Sequence, residues 1–327
     1  MANQAPDCWI LSDGKAGHEN QSLGLAEALG CQVRILRLEV KAPWRWLPPR
    51  LWPDALGAVH FLEARPTPPW PALIIACGRT TAPVGAALRK ASAGASFVVQ
   101  IQDAKLPPAR FDLVVVPEHD RLRGPNVLTS RGALTRVTPE RLAAAAAQFA
   151  PSYETLPRPR VAALIGGTSR THRMTEENAR ALGGRLAGLT NEEGAGLMVT
   201  LSRRTPSAAA GALRVALQGS GAMIWDGSGE NPYFGLLALA DHIVVTGDSV
   251  SMACEAAGTG KPLYVAGIDG GSPKFTRFHD SLRQAGIARP FAGQLEIWTY
   301  APLAESARLA GEIRHRLVNR SKDTTNH

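Results

Sequence analysis

The chain has 327 residues, 45% of them hydrophobic and 20% charged, and carries a formal net charge of +8 at pH 7. This length predicts two domains, because a single core seldom grows beyond about 250–300 residues. The positive charge is shared equally by the two halves without a basic tail, so no nucleic-acid partner is expected, whereas an anionic ligand or membrane surface is compatible with it.

In the first half, strand and helix patterns alternate, which predicts an α/β domain with a parallel sheet. A short strand at 9–12 ends in the loop 13–18, and a helix is expected over 19–29. Further buried strands are predicted from the apolar runs at 33–38, 73–77, 97–101 and 113–116. The strand 73–77 leads into a second glycine turn at 78–83.

Three prolines in residues 151–159 predict a linker. After it the alternation begins again, with strands expected at 161–165, 197–201, 223–225, 242–246 and 263–266. The predicted domains are therefore 1–150 and 160–300, followed by a C-terminal helix and tail at 301–327. We expect two Rossmann-like domains that face each other across a cleft lined by the carboxyl ends of both sheets.

The stretch around Gly247 has the features of a nucleotide site. An apolar strand runs through this glycine turn into a helix over 249–257, and a helix start offers free N–H groups to a phosphate. Ser251 and Glu255 lie four residues apart, on one helical face, where a carboxylate can accept two hydrogen bonds from a ribose diol. The alternative is an ordinary strand–helix–strand unit with glycine caps.

Cations lie next to glycine turns at the ends of several predicted strands, a combination that favours a diphosphate. The candidate contacts are Lys15, Gly17, Arg79, Gly167, Thr168, Ser169, Arg203, Arg204, Gly247, Ser249, Ser251 and Glu255. Since Arg203 and Arg204 are adjacent, only one of them is expected to face the ligand. No Asp-x-Asp motif is present, so we expect no metal and no bound cofactor, and cations and N–H groups would stabilise the leaving group.

His18 is the candidate general base, because an imidazole can accept the proton of an attacking hydroxyl near neutral pH. The alternative is that His18 caps its helix. Asp13 and Asp103 are weaker candidates for the same role. Three further histidines without an identifiable partner are interpreted as structural, namely His172, His242 and His279.

At these loops the chain resembles the GT-B glycosyltransferases, especially the peptidoglycan-precursor N-acetylglucosaminyltransferases. GKAGH at 14–18 is similar to their Gly-Gly-His loop, and CGRTTAP at 77–83 to their second glycine turn. GGTS at 166–169 resembles their Gly-Gly-Ser, and Glu255 with GKP at 260–262 resembles their donor-site helix. The resemblance implies an inverting transfer from a nucleotide-diphosphate sugar, as co-substrate, to a cell-envelope glycan or lipid-linked sugar.

The chain also resembles the family named for the plant mitochondrial-fission (elongated mitochondria) factor, and it is identified as a bacterial member of that family. The resemblance lies in two stretches, WILSDGKAGHENQSLGLAEALG and TGDSVSMACEAAGTGKP. The resemblance implies a GT-B fold and a nucleotide-sugar site. In plant members it implies recruitment of a dynamin-like protein, which is not carried over. One departure is Asp248, where the glycosyltransferase pattern is neutral or small. A carboxylate near a diphosphate is unfavourable unless Arg203 or Arg204 offsets it.

Two other functions stay open. One is a non-catalytic GT-B-like scaffold that docks a protein at a membrane. The other is a sugar-nucleotide epimerase, which shares the donor site but needs carboxylates on both faces of the sugar.

The segment 43–53, PWRWLPPRLWP, could contact a membrane interface through Trp44, Trp46 and Trp52, or its tryptophans could fill gaps over the core. The dispersed cysteines, Cys8, Cys31, Cys77 and Cys254, argue against disulfides or zinc and favour a reducing cytosol. The N-terminus lacks the pattern of a signal peptide, and no apolar run approaches ~18 residues. The expected location is the cytoplasm, with peripheral attachment at the inner membrane as a further hypothesis.

Overall fold

The computed structural model describes residues 6–325; residues 1–5, on which part of the signal-peptide prediction rests, lie outside this range. The strands are β1 Asp7–Ser12, β2 Gln32–Val40, β3 Val59–Phe61, β4 Leu73–Cys77, β5 Phe97–Ile101, β6 Leu113–Pro117, β7 Val127–Ser130, β8 Arg160–Ile165, β9 His172–Arg173, β10 Gly196–Leu201, β11 Met223–Ile224, β12 His242–Thr246, β13 Leu263–Ala266, β14 Asp269–Gly270 and β15 Ala288–Pro290. The helices are α1 Ala16–Leu29, α2 Ala82–Ala91, α3 Pro139–Phe149, α4 Glu176–Glu192, α5 Ser207–Ala216, α6 Tyr233–Leu239, α7 Val250–Ala257, α8 Pro273–Gln284 and α9 Glu305–Thr325.

The chain divides into two compact units, one up to Arg136 together with the residues from Ala304 onward, the other Val137–Leu303. These limits differ from the predicted domains at α3 and α9. The α3 helix belongs to the second unit because Phe149 packs onto α6, where a Cβ on Gly235 would lie 2.7 Å from the Phe149 Cβ. The predicted linker is also part of this unit, since Tyr153 and Leu156 within it are buried.

The α9 helix returns to the first unit because its apolar stripe is needed there. Leu309, Ala310 and Ile313 are buried in the same cluster as Ile10 of β1 and Leu25 of α1. Side chains of β1 alternate between this cluster and a second one on the other face of the sheet, which contains Trp9 and Leu11. Both faces of the sheet are thus covered, as the continuous apolar strands predict.

The first sheet has the order β3-β2-β1-β4-β5-β6-β7, and all neighbouring pairs are parallel except β2 and β3. The chain leaves β1 towards β3 and then returns to β4 beside β1. The carboxyl ends of β1 and β4 therefore form a topological switch point, the place where doubly wound sheets bind ligands. Residues 13–18 and 78–83 start there.

The second sheet has the order β11-β10-β8-β12-β13-β15 and is parallel throughout. Its switch point lies between β8 and β12, and the glycine turns 166–169 and 247–249 follow those two strands. A separate antiparallel pair joins β9 to β14. Two units built on wound parallel sheets confirm the predicted α/β, Rossmann-like fold class.

The structure differs from the predicted elements in two ways: one helix begins earlier, and several strands and helices were not predicted. The α1 helix begins at Ala16, three residues before the predicted start, so Gly17 and His18 lie in its first turn. The strands β3, β7, β9, β14 and β15 and the helices α6 and α8 were not predicted. No helix among residues 6–325 is long and apolar enough to cross a membrane.

Candidate functional site

At the first switch point, Asp13 binds two side chains of the following turn. Its Oδ1 lies 3.0 Å from His18 Nδ1, and its Oδ2 accepts a hydrogen bond from Lys15 Nζ at 2.5 Å. Ser12 shapes the turn, since its Oγ accepts from the Gly14 N–H at 3.1 Å and donates to Glu19 Oε2 at 2.7 Å. The structure thus brings together the predicted residues Asp13, Lys15 and His18.

The charge state of Asp13 fixes the orientation of the imidazole. Burial alone favours the protonated carboxyl, but hydrogen bonds from His18 and Lys15 outweigh it and hold the pKa of Asp13 well below its ordinary value. An ionised carboxylate only accepts hydrogen bonds, so His18 donates through Nδ1–H. Nε2 has no hydrogen-bond partner among residues 6–325, and the side chain is 21% exposed. His18 therefore has one nitrogen held and one available, the arrangement of a general base.

The end of β4 forms the surface against which His18 lies. Gly78 has φ +83°, and a Cβ on it would come within 2.5 Å of His18 Cε1, so glycine is required for both conformation and space. Burial, reinforced by the charge of Asp13, strongly raises the pKa of Cys77, which keeps this thiol neutral and excludes it as a nucleophile.

Arg79 and Asp103 lie at the same edge of the sheet but outside the His18 contacts. Burial raises the pKa of Asp103, but hydrogen bonds from Lys105 and the charges of Lys105 and Arg79 outweigh burial, so the net shift of the pKa is downward. Asp103 is engaged by Lys105 Nζ rather than by His18. Gly17 is exposed in α1, and its carbonyl accepts from Gln21 Nε2 at 3.1 Å.

At the second switch point the glycine turn after β8 differs from the expected phosphate cradle, because its N–H groups are already bonded. Their acceptors are Thr246 Oγ1 for Gly166 at 2.7 Å, Asp248 Oδ2 for Gly167 at 3.0 Å, the Arg204 carbonyl for Thr168 at 3.1 Å and the His172 carbonyl for Ser169 at 2.9 Å. The hydroxyls of Thr168 and Ser169 accept from backbone N–H groups of residues 171–174. The turn is closed by its own chain.

Asp248 is the centre of this closure. Its side chain is 0% exposed and accepts from Arg204 Nη2 at 3.1 Å and from Thr246 Oγ1 at 2.7 Å. A Cβ on Gly166 would overlap the Asp248 carboxylate, and one on Gly167 would overlap the Arg204 carbonyl. The two glycines are therefore explained by this close packing, with no phosphate needed.

The structure distinguishes the two adjacent arginines. Arg204 is held by Asp248 and by Ser202 Oγ, which accepts from its N–H at 3.1 Å, yet its side chain is 47% exposed. One side of its guanidinium is fixed and the other faces solvent. Arg203 is exposed and makes no side-chain hydrogen bond or ion pair within residues 6–325. Of the pair, Arg204 is the preorganised cation.

The start of α7 supplies the remaining donors. Ser249 is the N-cap, and its Oγ accepts from the Met252 N–H at 3.3 Å, so this hydroxyl is used within the helix. Gly247 donates to the Ala266 carbonyl at 2.9 Å. The N–H groups of Val250 and of the half-buried Ser251 lie in the first helical turn, where no preceding carbonyl is within the helix to accept them.

Glu255 lies one turn after Ser251 on α7 and is buried. Its Oε2 accepts from the hydroxyl of Tyr233, at the start of α6, at 2.6 Å. Burial raises the pKa of Glu255 to about 7, although the bond from Tyr233 opposes the shift. Tyr233 was not predicted as part of the site, because no sequence spacing links residues on two different helices.

A cavity of about 320 Å³ adjoins Gly247 and was also missed. His172 and Phe275 form part of its wall, with ring centroids 4.5 Å apart. His279 Nε2 donates to the Gly247 carbonyl at 2.8 Å. Two of the three histidines interpreted as structural thus line this cavity. Within residues 6–325, no three metal-ligating side chains converge.

Comparisons with known proteins place these features in a family and a fold. A family model described as Mitochondrial fission ELM1 matches residues 16–317. The Mitochondrial fission protein ELM1 of Arabidopsis thaliana is 30% identical, over 95% of this chain and 91% of its own length. The UDP-GlcNAc 2-epimerase from Methanocaldococcus jannaschii is 10% identical with a TM-score of 0.53, covering 94% of this chain and 99% of that one. The glycotransferase of kitacinnamycin is 14% identical with a TM-score of 0.50, and the match covers 96% of this chain and 93% of that one. The predicted GT-B-like fold is confirmed.

Proposed function

We propose that this chain, which belongs to the Mitochondrial fission ELM1 family, is an inverting glycosyltransferase that uses a nucleotide-diphosphate sugar. The second unit would bind the nucleotide sugar. The first unit carries the candidate base, His18, for a hydroxyl acceptor such as an envelope glycan or lipid-linked sugar. The single observation that carries the proposal is the Asp13–His18 pair, in which one imidazole nitrogen is held and the other has no partner within the described residues.

Donor binding is assigned to groups that the second unit leaves available. The outer side of the Arg204 guanidinium and the first N–H groups of α7 would hold the diphosphate, since both favour anions. Glu255 would accept hydrogen bonds from the ribose hydroxyls, with Tyr233 fixing one of its oxygens. The fold likeness to an enzyme whose name includes UDP-GlcNAc supports a nucleotide sugar as the ligand.

In the proposed transfer, His18, Arg204 and Asp13 each have a separate role. Nε2 of His18 takes the acceptor hydroxyl proton as the acceptor oxygen forms a bond to the anomeric carbon. The bond from that carbon to the diphosphate oxygen breaks, and the nucleoside diphosphate leaves with the electron pair. Arg204 stabilises the negative charge that develops on the leaving group. Asp13 stabilises the imidazolium that forms.

A thermal-shift screen of nucleoside diphosphates and their sugars tests the proposal. At least one of UDP, ADP, GDP or their sugar conjugates should raise the melting temperature, because a ligand that binds only the folded state stabilises it. Arg204→Ala should lower the affinity for that ligand by about tenfold or more, whereas the matched Arg203→Ala should have little effect on it. If none of these compounds stabilises the wild type, the proposal is wrong.

A non-catalytic scaffold is the second candidate, and Asp248 is the observation that favours it. This carboxylate occupies the Gly167 N–H and one N–H of Arg204, two donors that a phosphate would otherwise use. A scaffold would bind its protein partner equally well after His18→Ala and Glu255→Ala. The fold likeness to an epimerase supports a third candidate, which would convert a nucleotide sugar into its epimer without releasing nucleoside diphosphate.

A further inference from the structure

The tryptophan segment, residues 43–53, presents large apolar side chains to solvent on the first unit. Trp46 is 67% exposed, Leu51 57% and Leu47 42%. Three of the eight exposed large apolar side chains in the described part of the chain thus lie within six consecutive residues. Clustered exposure of this kind marks an interaction surface, whereas isolated exposed apolar residues are ordinary.

Two of its tryptophans, Trp52 and Trp44, fix the segment to the first unit. Trp52 is buried, and its Nε1 donates to the carbonyls of Trp44 and Leu47 at 3.2 and 3.4 Å. Trp44 itself packs against the core of the first unit. Of the three tryptophans predicted to contact a membrane, only Trp46 is therefore available, and the other two fix the backbone that presents it.

Positive charge accompanies the exposed apolar side chains. Arg45 and Arg50 are exposed, and neither pairs with a carboxylate in the described part of the chain. The Arg45 guanidinium lies 4.5 Å from the ring centroid of Trp46. A guanidinium beside an exposed indole is a combination suited to the boundary of a bilayer, where phosphates and acyl chains meet.

A groove of about 660 Å³ continues this surface between the tryptophan segment and α2. Its apolar walls include Pro49, Pro53 and Ala86. Lys90 and Arg110 also line it and form no ion pair among residues 6–325, in contrast to their neighbour Arg89, which pairs with Asp112 at 2.9 Å. The groove therefore offers two uncompensated cations beside an apolar wall.

We propose that this surface docks the protein on an anionic lipid bilayer. Trp46, Leu47 and Leu51 enter the interface, while Arg45 and Arg50 contact headgroup phosphates. Lys90 and Arg110 bind a further headgroup at the mouth of the groove. Each cation close to an anionic membrane strengthens binding about fivefold, and the attraction weakens as salt screens it.

Co-sedimentation of the full chain with vesicles tests the docking. The chain should sediment with vesicles of phosphatidylcholine containing phosphatidylglycerol, and much less with phosphatidylcholine alone or at high salt. The double variant Trp46→Ala/Leu51→Ala should weaken binding by about tenfold or more, since each substitution removes apolar side-chain surface that would be buried in the bilayer. Arg45→Glu/Arg50→Glu should weaken it similarly and abolish the preference for anionic lipid.

Matched controls come from the second unit. Ile297→Ala, at an apolar side chain that is 89% exposed, and Arg214→Glu should sediment like the wild type. Melting temperatures verify that every variant is folded. The proposal is overturned if the wild type does not sediment with anionic vesicles, if it binds neutral vesicles equally, or if both double variants bind like the controls. No nucleotide is needed for the assay, so its outcome is independent of the proposed glycosyl transfer.

Discussion

Each of the two sheets has an aspartate at its switch point, and the two aspartates are used in opposite ways. Asp13 binds the side chains of Lys15 and His18, both of which reach solvent. Asp248 is fully buried and binds the Gly167 N–H, the Thr246 hydroxyl and one N–H of Arg204. The first carboxylate orients an imidazole that can react, and the second closes a glycine turn.

The difference shows that a glycine turn after a strand is not by itself an anion site. At Gly78 the absence of a side chain makes room for the His18 ring, whereas at Gly166 it makes room for a carboxylate. The donors left for a phosphate in the second unit are those that Asp248 does not use. On the proposed function, the first region supplies the catalytic base and the second binds the donor, and variants at each region test this assignment.

The largest expected effect is on transfer, at the first region. Asp13→Asn should lower the rate of nucleoside diphosphate release from the nucleotide sugar by about 10²–10⁴, because an amide can hold His18 in the wrong tautomer. The affinity for the nucleotide should not change. His60→Ala, at an exposed residue of β3, is the control. A rate close to wild type for Asp13→Asn would show that the Asp13–His18 pair does not take part in catalysis.

Glu255 makes the second region sensitive to pH. Its pKa is raised from an ordinary 4.5 to about 7, so its stabilising contribution is complete below pH 4.5 and is lost as the pH rises through 7. Glu255→Gln should therefore be more stable than the wild type by roughly 3 kcal/mol at pH 8 and similar to it at pH 4.5. Urea unfolding at the two pH values measures this, and a difference that does not vary with pH would contradict it.

Removing each aspartate should affect stability unequally. Asp248→Ala leaves the Gly167 N–H and the Thr246 hydroxyl without their acceptor, at a cost of about 2–4 kcal/mol. Asp13→Ala should cost about 1 kcal/mol or less, since Lys15 and His18 remain partly hydrated. Chemical denaturation compares the two. Equal losses would mean that Asp13 is as structural as Asp248.

The smallest difference between variants is expected for two glycines of the first region. Gly78 and Gly14 both have positive φ, +83° and +75°, but only at Gly78 would a Cβ meet His18. Each Gly→Ala substitution should cost about 1–2 kcal/mol of stability. Only Gly78→Ala should also reduce transfer, by displacing the imidazole. Similar transfer rates in the two variants would show that the His18 position is not critical.

Much of this organisation could be predicted from local patterns. Apolar runs between glycine turns predict the parallel strands, and Asp13, Lys15 and His18 meet because they belong to one short turn. Tertiary packing determines the rest. The pairing of Arg204 with Asp248 depends on the strand order β10-β8-β12, and that of Tyr233 with Glu255 on where tertiary packing places the start of α6. Neither leaves a spacing that a single sequence reveals.

The central claim is that binding belongs to the second unit and reaction to the first. It is tested most directly by calorimetric titration of the stabilising nucleoside diphosphate into the wild type, His18→Ala and Arg204→Ala. We predict that His18→Ala binds like the wild type and that Arg204→Ala binds at least about tenfold more weakly. Equal weakening in both variants, or wild-type affinity in Arg204→Ala, would contradict this division of roles.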